Sequence, residues 1–158
     1  VRETVFNWLG GALQGAHCLD LFAGTGVLGL EALSRGASTA LLVERDAELA
    51  RALRARIAEL DADAAVVQRN VEALLREPPP RLFDIVFLDP PYSVAVEPLL
   101  AQIQAWIADR ALIYVERPRA DGTSPGIDGL AAALDSAELV KSSRAGGVAF
   151  GLLEVRRS

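Results

Sequence analysis

The 158-residue sequence predicts an α/β fold: a mostly parallel, seven-stranded sheet that ends in an antiparallel hairpin. Three observations carry this. Short apolar runs alternate with helical patterns up to about position 116, a glycine-rich turn stands at the first strand-to-helix junction, and the last two strand patterns are joined only by Gly146-Gly147. Runs that are apolar throughout belong to strands buried on both faces, as parallel strands are when helices cover them.

The elements follow in order. Residues 1–13 read as a helix with Val5, Phe6 and Leu9 on one stripe, broken up near its end by Gly10, Gly11 and Gly15. Residues 17–22 are a strand and 27–34 a helix, which Gly36 stops. Residues 39–44 form the second strand. Asp46 caps a long Ala/Arg/Leu helix to about Leu60. A short strand at 65–68 and a short helix at 71–76 precede the turn forced by Pro78-Pro79-Pro80. The fourth strand is 83–88, a helix runs from about 97 to 107, and the fifth strand is 111–116. Residues 121–129 are loop, a short helix reaches Leu134, and 138–142 with 148–155 make the hairpin. A terminal hairpin on such a sheet is the arrangement of Rossmann-like class I methyltransferases rather than of plain dinucleotide-binding domains.

At 51% apolar and 23% charged residues, the composition is that of one folded domain over 1–158, with no run long enough to span a bilayer and no signal-peptide pattern. Cys18 is the only cysteine, so an intrachain disulfide and a Cys-rich zinc site are excluded, which suits a reducing cytoplasm. The net charge of −5 excludes a sequence-independent coat on nucleic acid. It leaves room for an enzyme that recognises one structured site, because Arg117, Arg119, Lys141, Arg144, Arg156 and Arg157 lie late and the acids are concentrated earlier, notably at strand ends.

The first chemical signal is Asp20-Leu21-Phe22-Ala23-Gly24-Thr25-Gly26-Val27-Leu28-Gly29. Glycines at a strand-to-helix turn let backbone approach a ligand and present helix N-terminal amides. The spacing also fits a dinucleotide fingerprint, with Glu44 placed 20 residues after Gly24 for a ribose, so a nicotinamide dehydrogenase is a rival. Asp20 separates the two: a carboxylate there opposes a pyrophosphate and favours the ammonium and sulfonium of S-adenosylmethionine. Glu44, with Arg45 behind it, can hold ribose hydroxyls. Asn70 and Val71 suit an adenine edge and face, although Asn70 equally suits an ordinary helix cap.

The sharpest signal is Asp89-Pro90-Pro91-Tyr92 directly after the fourth strand. Two prolines remove two amide donors, leaving the Asp89 carboxylate and the Pro90 carbonyl side by side. Two acceptors can take both hydrogens of an amino group on a ring and free its lone pair, while Tyr92 stacks on the base. Catalysis of that kind is positioning plus electrostatics. His17, Trp8 and Trp106 read as structural and Cys18 as an inert core residue; no metal-ligand cluster is present.

These motifs resemble the amino-methylating methyltransferases, whose adenine-N6 and protein-glutamine branches usually carry Asn in place of Asp89 and stand as the alternative function. Val1-Arg2-Glu3-Thr4-Val5-Phe6-Asn7-Trp8-Leu9, Leu30-Glu31-Ala32-Leu33-Ser34-Arg35-Gly36-Ala37 and Ala111-Leu112-Ile113-Tyr114-Val115-Glu116 resemble the RsmD family more specifically. The resemblance implies methyl transfer from S-adenosylmethionine to N2 of a guanine in 16S ribosomal RNA of the bacterial small subunit, in the cytoplasm, by an expected monomer with no metal and no membrane. It implies that Asp20, Phe22, Ala23, Gly24, Thr25, Gly26, Glu44, Arg45, Asn70 and Val71 surround the cofactor, and that Asp89, Pro90, Pro91 and Tyr92 hold the guanine. Arg2 and Thr4 match the helix start near the cofactor. The family's basic N-terminal arm has no counterpart in these residues, so weak binding to the ribosomal particle is expected. A catalytically silent RNA-binding scaffold is the remaining rival, with no need of the Asp89 corner.

Overall fold

A computed structural model describes residues 1–118 and 126–157. In chain order these hold α1 (Arg2–Leu9), β1 (His17–Asp20), α2 (Val27–Ser34), β2 (Thr39–Val43), α3 (Ala47–Leu60), β3 (Ala64–Val67), α4 (Val71–Leu75), β4 (Phe83–Leu88), α5 (Val96–Ile103), β5 (Ile107–Pro118), β6 (Ala137–Ala145) and β7 (Val148–Arg156). The seven strands form one sheet in the order β3-β2-β1-β4-β5-β7-β6. The first five run parallel, and β7 lies antiparallel between β5 and β6. The expected terminal hairpin is therefore present. Among the described residues no helix is long and apolar enough to cross a membrane.

Strand alternation sorts the apolar residues into two layers. Cys18, Ile85, Phe87 and Tyr114 pack with Val5, Phe6 and Leu9 of α1, Ala32 of α2 and Leu53 of α3. Leu19, Val86, Leu88, Ile113 and Val115 pack with Leu74 of α4 and Leu99 and Leu100 of α5. The same period of two has a functional consequence. Counting on from Cys18, Phe87 and Tyr114, it brings Asp20, Asp89 and Glu116 out on the α1 side, at the carboxyl ends of β1, β4 and β5.

Several boundaries differ from the sequence pattern. The opening helix divides into α1 and a 3-10 turn at Gly10–Leu13, the glycines having weakened it. The helix expected over 97–107 stops at Ile103; a 3-10 turn Gln104–Trp106 follows, and Ile107 already belongs to β5. Trp106 is buried, and its indole N–H donates to the carbonyls of Leu75 and Glu77, both at 3.2 Å. The Arg157 guanidinium donates to the carbonyls of Gln104 at 3.0 Å and Ile107 at 2.7 Å, so backbone groups released by the early stop have partners. β5 exceeds the expected 111–116 because β7 pairs along it from Arg110↔Arg156 to Pro118↔Val148. Likewise β6 exceeds 138–142. Of the expected loop at 121–129, residues 121–125 and the nearby Arg119 lie outside the described residues; 126–129 form a turn into the 3-10 helix Leu130–Ala133.

Candidate active site

The glycine loop hangs from the sheet by two backbone bonds. The Leu21 amide donates to the Phe87 carbonyl at 3.2 Å and the Ala23 amide to that of Val43 at 3.0 Å. β1 itself ends at Asp20, two residues earlier than the apolar run suggests, because Leu21 and Ala23 turn away to these partners. Gly24 has φ +55°, and a Cβ there would meet nothing within 4 Å. Its backbone is thus bare toward the space in front of the loop. Gly29 plays a different part: a Cβ would lie 2.2 Å from Leu42 Cδ2, so its absence lets α2 sit against β2.

Asp20 is 3% exposed and accepts from the Gly29 amide at 3.2 Å. Burial first, then the neighbouring Asp89 and Glu44 carboxylates, push its carboxyl up to about 7; the Gly29 and Phe22 amides oppose this. Glu44 is tied at both oxygens, accepting from the Gly24 amide at 2.8 Å and the Asp46 amide at 2.8 Å. It joins the end of β2 to the glycine loop. Asn70 caps α4, its Oδ1 accepting from the Ala73 amide at 3.1 Å, and so fulfils the ordinary cap role while its amide nitrogen stays available.

Two cavities open at the carboxyl edge of the sheet. One, of about 380 Å³, is bordered by Phe22, Gly24, Glu44, Arg45, Asn70 and Val71. The other, of about 390 Å³, lies between α1 and the sheet and is bordered by Arg2, Asp20, Ala23, Thr25, Tyr114 and Glu116. Phe22, Gly24 and Asp89 border both. Pro90 and Pro91 line the first. Gly26 lines neither; it begins α2 with φ +81° against Leu53. Tyr92 lines neither and is 66% exposed, on the rim. His17 sits at the opposite edge, its ring nitrogen 2.8 Å from Thr39 Oγ1 and its amide on Asp84 at 2.9 Å. Burial, followed by Asp84 and Asp20, pushes the Cys18 thiol up to about 12, which makes it inert.

Glu116 and Tyr114 were not singled out as site residues by sequence reasoning. The register Leu88↔Val115 brings Glu116 beside Asp89. The buried Tyr114 hydroxyl donates to Glu116 at 2.8 Å. Partial burial, then Glu116, pushes Asp89 up to about 6. The available signal was positional: Glu116 ends its apolar run much as Asp20 and Asp89 end or directly follow theirs.

Comparison with known proteins agrees with this fold. Ribosomal RNA small subunit methyltransferase D of Escherichia coli (strain K12) is 46% identical over 120 residues, covering 73% of this chain and 60% of that protein. The chain thus spans about 60% of the length of this curated relative. Among solved structures, a putative methyltransferase from Escherichia coli superposes with a TM-score of 0.87 at 37% identity, over 99% of this chain and 86% of that one. A putative methylase from Haemophilus influenzae gives 0.82 at 31%, over 98% and 96%. The family described as conserved hypothetical protein 95 matches residues 1–149. The chain belongs to that family, the RsmD family its motifs resemble.

Proposed function

We propose that this chain transfers the methyl group of S-adenosylmethionine to the exocyclic N2 of a guanine in 16S ribosomal RNA, acting on the small subunit in the bacterial cytoplasm. One observation carries the reading: Asp89 borders both cavities, so a ligand lying along Gly24 and an amino group held at Asp89 meet at one place. The relative of 46% identity bears the name of a ribosomal RNA small subunit methyltransferase, which agrees.

The residues fit the cofactor. Gly24 leaves backbone open along the cavity, and Asp20 places a carboxyl group where a dinucleotide would bring its pyrophosphate. A cation there draws that carboxyl into its charged form, which favours a sulfonium and an ammonium over a nicotinamide cofactor. Each Glu44 oxygen has one amide partner and keeps a lone pair for a ribose hydroxyl. Val71 and Phe22 supply apolar walls for the adenine, and the Asn70 amide its edge.

When bound, the cofactor would supply an electrophilic methyl group, its sulfur–methyl bond breaking with the electron pair left on sulfur as a neutral thioether. The chain supplies the rest. Asp89 and the Pro90 carbonyl accept the two hydrogens of N2 and turn its lone pair toward the methyl. As the nitrogen–carbon bond forms, positive charge on N2 strengthens its bond to Asp89. One N2 proton then leaves through Asp89, whose exposed position returns it to water. Tyr92, on the rim, stacks on a base drawn out of its helix. Asp rather than Asn at position 89 gives the charged acceptor that favours guanine N2 over the adenine-N6 alternative.

Calorimetric titration tests the cofactor half. S-adenosylmethionine should bind and NADH should not, and Glu44→Ala should weaken binding by ~1–3 kcal/mol. Tight NADH binding would reverse the assignment.

A further inference from the structure

Parallel pairing of β4 with β5 puts Asp89 and Glu116 one residue beyond the paired Leu88 and Val115, at the same height. Both border the cavity between α1 and the sheet. The Tyr114 hydroxyl, 2.8 Å from Glu116 Oε2, fixes the carboxylate from beneath. The next cation along the strand, Arg117, is turned to Glu97 at 2.7 Å and does not neutralise it. Two carboxyl groups therefore stand side by side, one more than an amino group held by Asp89 and the Pro90 carbonyl needs. The Watson–Crick edge of guanine presents two adjacent donors, N1–H and the N2 amino group. Adenine presents an acceptor at N1.

We propose that Glu116 is a specificity-determining residue: it accepts the N1–H of the flipped guanine while Asp89 and the Pro90 carbonyl hold N2. The proposal rests on the reading of the site as a guanine methyltransferase. A purine whose N1 is an acceptor leaves the Glu116 carboxylate facing a lone pair, and is rejected even when it carries a 2-amino group.

The test uses small subunits reconstituted with guanine or 2-aminopurine at the methylated position. 2-Aminopurine keeps the 2-amino group and lacks N1–H. Methyl transfer by this chain should favour guanine by about 100-fold in kcat/KM. Glu116→Gln offers an amide that can donate to an acceptor N1, so it should cut that preference at least about tenfold, through a slower reaction on guanine and a faster one on 2-aminopurine. Calorimetry with S-adenosylmethionine shows that the variant is folded. An unchanged preference, with both substrates slowed equally, overturns the role of Glu116 and leaves the function standing. If the unaltered chain makes no N2-methylguanosine, the function itself fails and this proposal fails with it.

Discussion

Asp20 and Asp89 are both raised carboxyls, yet their surroundings give them different work. Asp89 is exposed enough to meet a base and return a proton to water. Asp89→Ala should lower turnover by roughly two to three orders of magnitude, since one preorganised electrostatic contact is worth ~3–4 kcal/mol in a transition state, while cofactor affinity changes little. Tyr92→Ala should cost ~1–3 kcal/mol of stacking and Tyr92→Phe almost nothing, both read as kcat/KM. Asp20 is sealed in, and its carboxyl rises from 3.8 to about 7. The folded chain then holds a proton that the unfolded chain sheds, so stability is highest at low pH and falls as pH rises through that window. Asp20→Asn removes this loss. Urea melts of the free protein should show the variant gaining on the wild type by roughly 2–4 kcal/mol between pH 4 and pH 8. A constant difference across that range would mean Asp20 ionises normally.

Among the elements, α2 depends most on one residue. At Gly29 a methyl group would stand 2.2 Å from Leu42 Cδ2 and 3.4 Å from Asp20 Oδ2. Gly29→Ala should therefore destabilise the fold by ~1–3 kcal/mol, as overpacked core positions do, and weaken the cofactor through Asp20; thermal melts and titration check both. How far such elements can be read ahead of the structure depends on whether their cause is local. The segments from Asp20 to Gly29 and from Asp89 to Tyr92 are contiguous, and strand-to-helix turns and prolines act through nearby backbone, so their place at the carboxyl edge of the sheet was legible. The cap role of Asn70 was legible only as one of two alternatives, because a cap and a ligand contact use the same side chain. The end of α5 was not legible: Trp106 continues the helical pattern, and only its bonds to Leu75 and Glu77, distant in sequence, show why the chain turns. Glu116 was missed for the same reason, since its neighbour Asp89 is supplied by strand register.

At the scale of the whole molecule, charge separates chemistry from recognition. The chain carries a net −5 and a site bordered by three carboxylates and Arg2, which suits a cationic cofactor and a donor-rich base edge. It offers little to phosphates. Affinity of this chain for naked ribosomal RNA should be weak and fall only shallowly with salt, because few counterions are released; a steep log–log slope would reveal a basic surface this account lacks. Under the proposed function, recognition of one structured site would then depend on shape around the rim, where Tyr92 stands exposed.

In the proposed reaction methyl donor and guanine N2 meet at Asp89. Incubating the chain with S-adenosylmethionine labelled in the methyl group and with unmodified small subunits, then digesting the RNA to nucleosides, checks this. Label is expected in N2-methylguanosine, at one nucleotide, lost by a factor of roughly a hundred or more with Asp89→Ala. Label in N6-methyladenosine, or equal labelling by the variant, would contradict it.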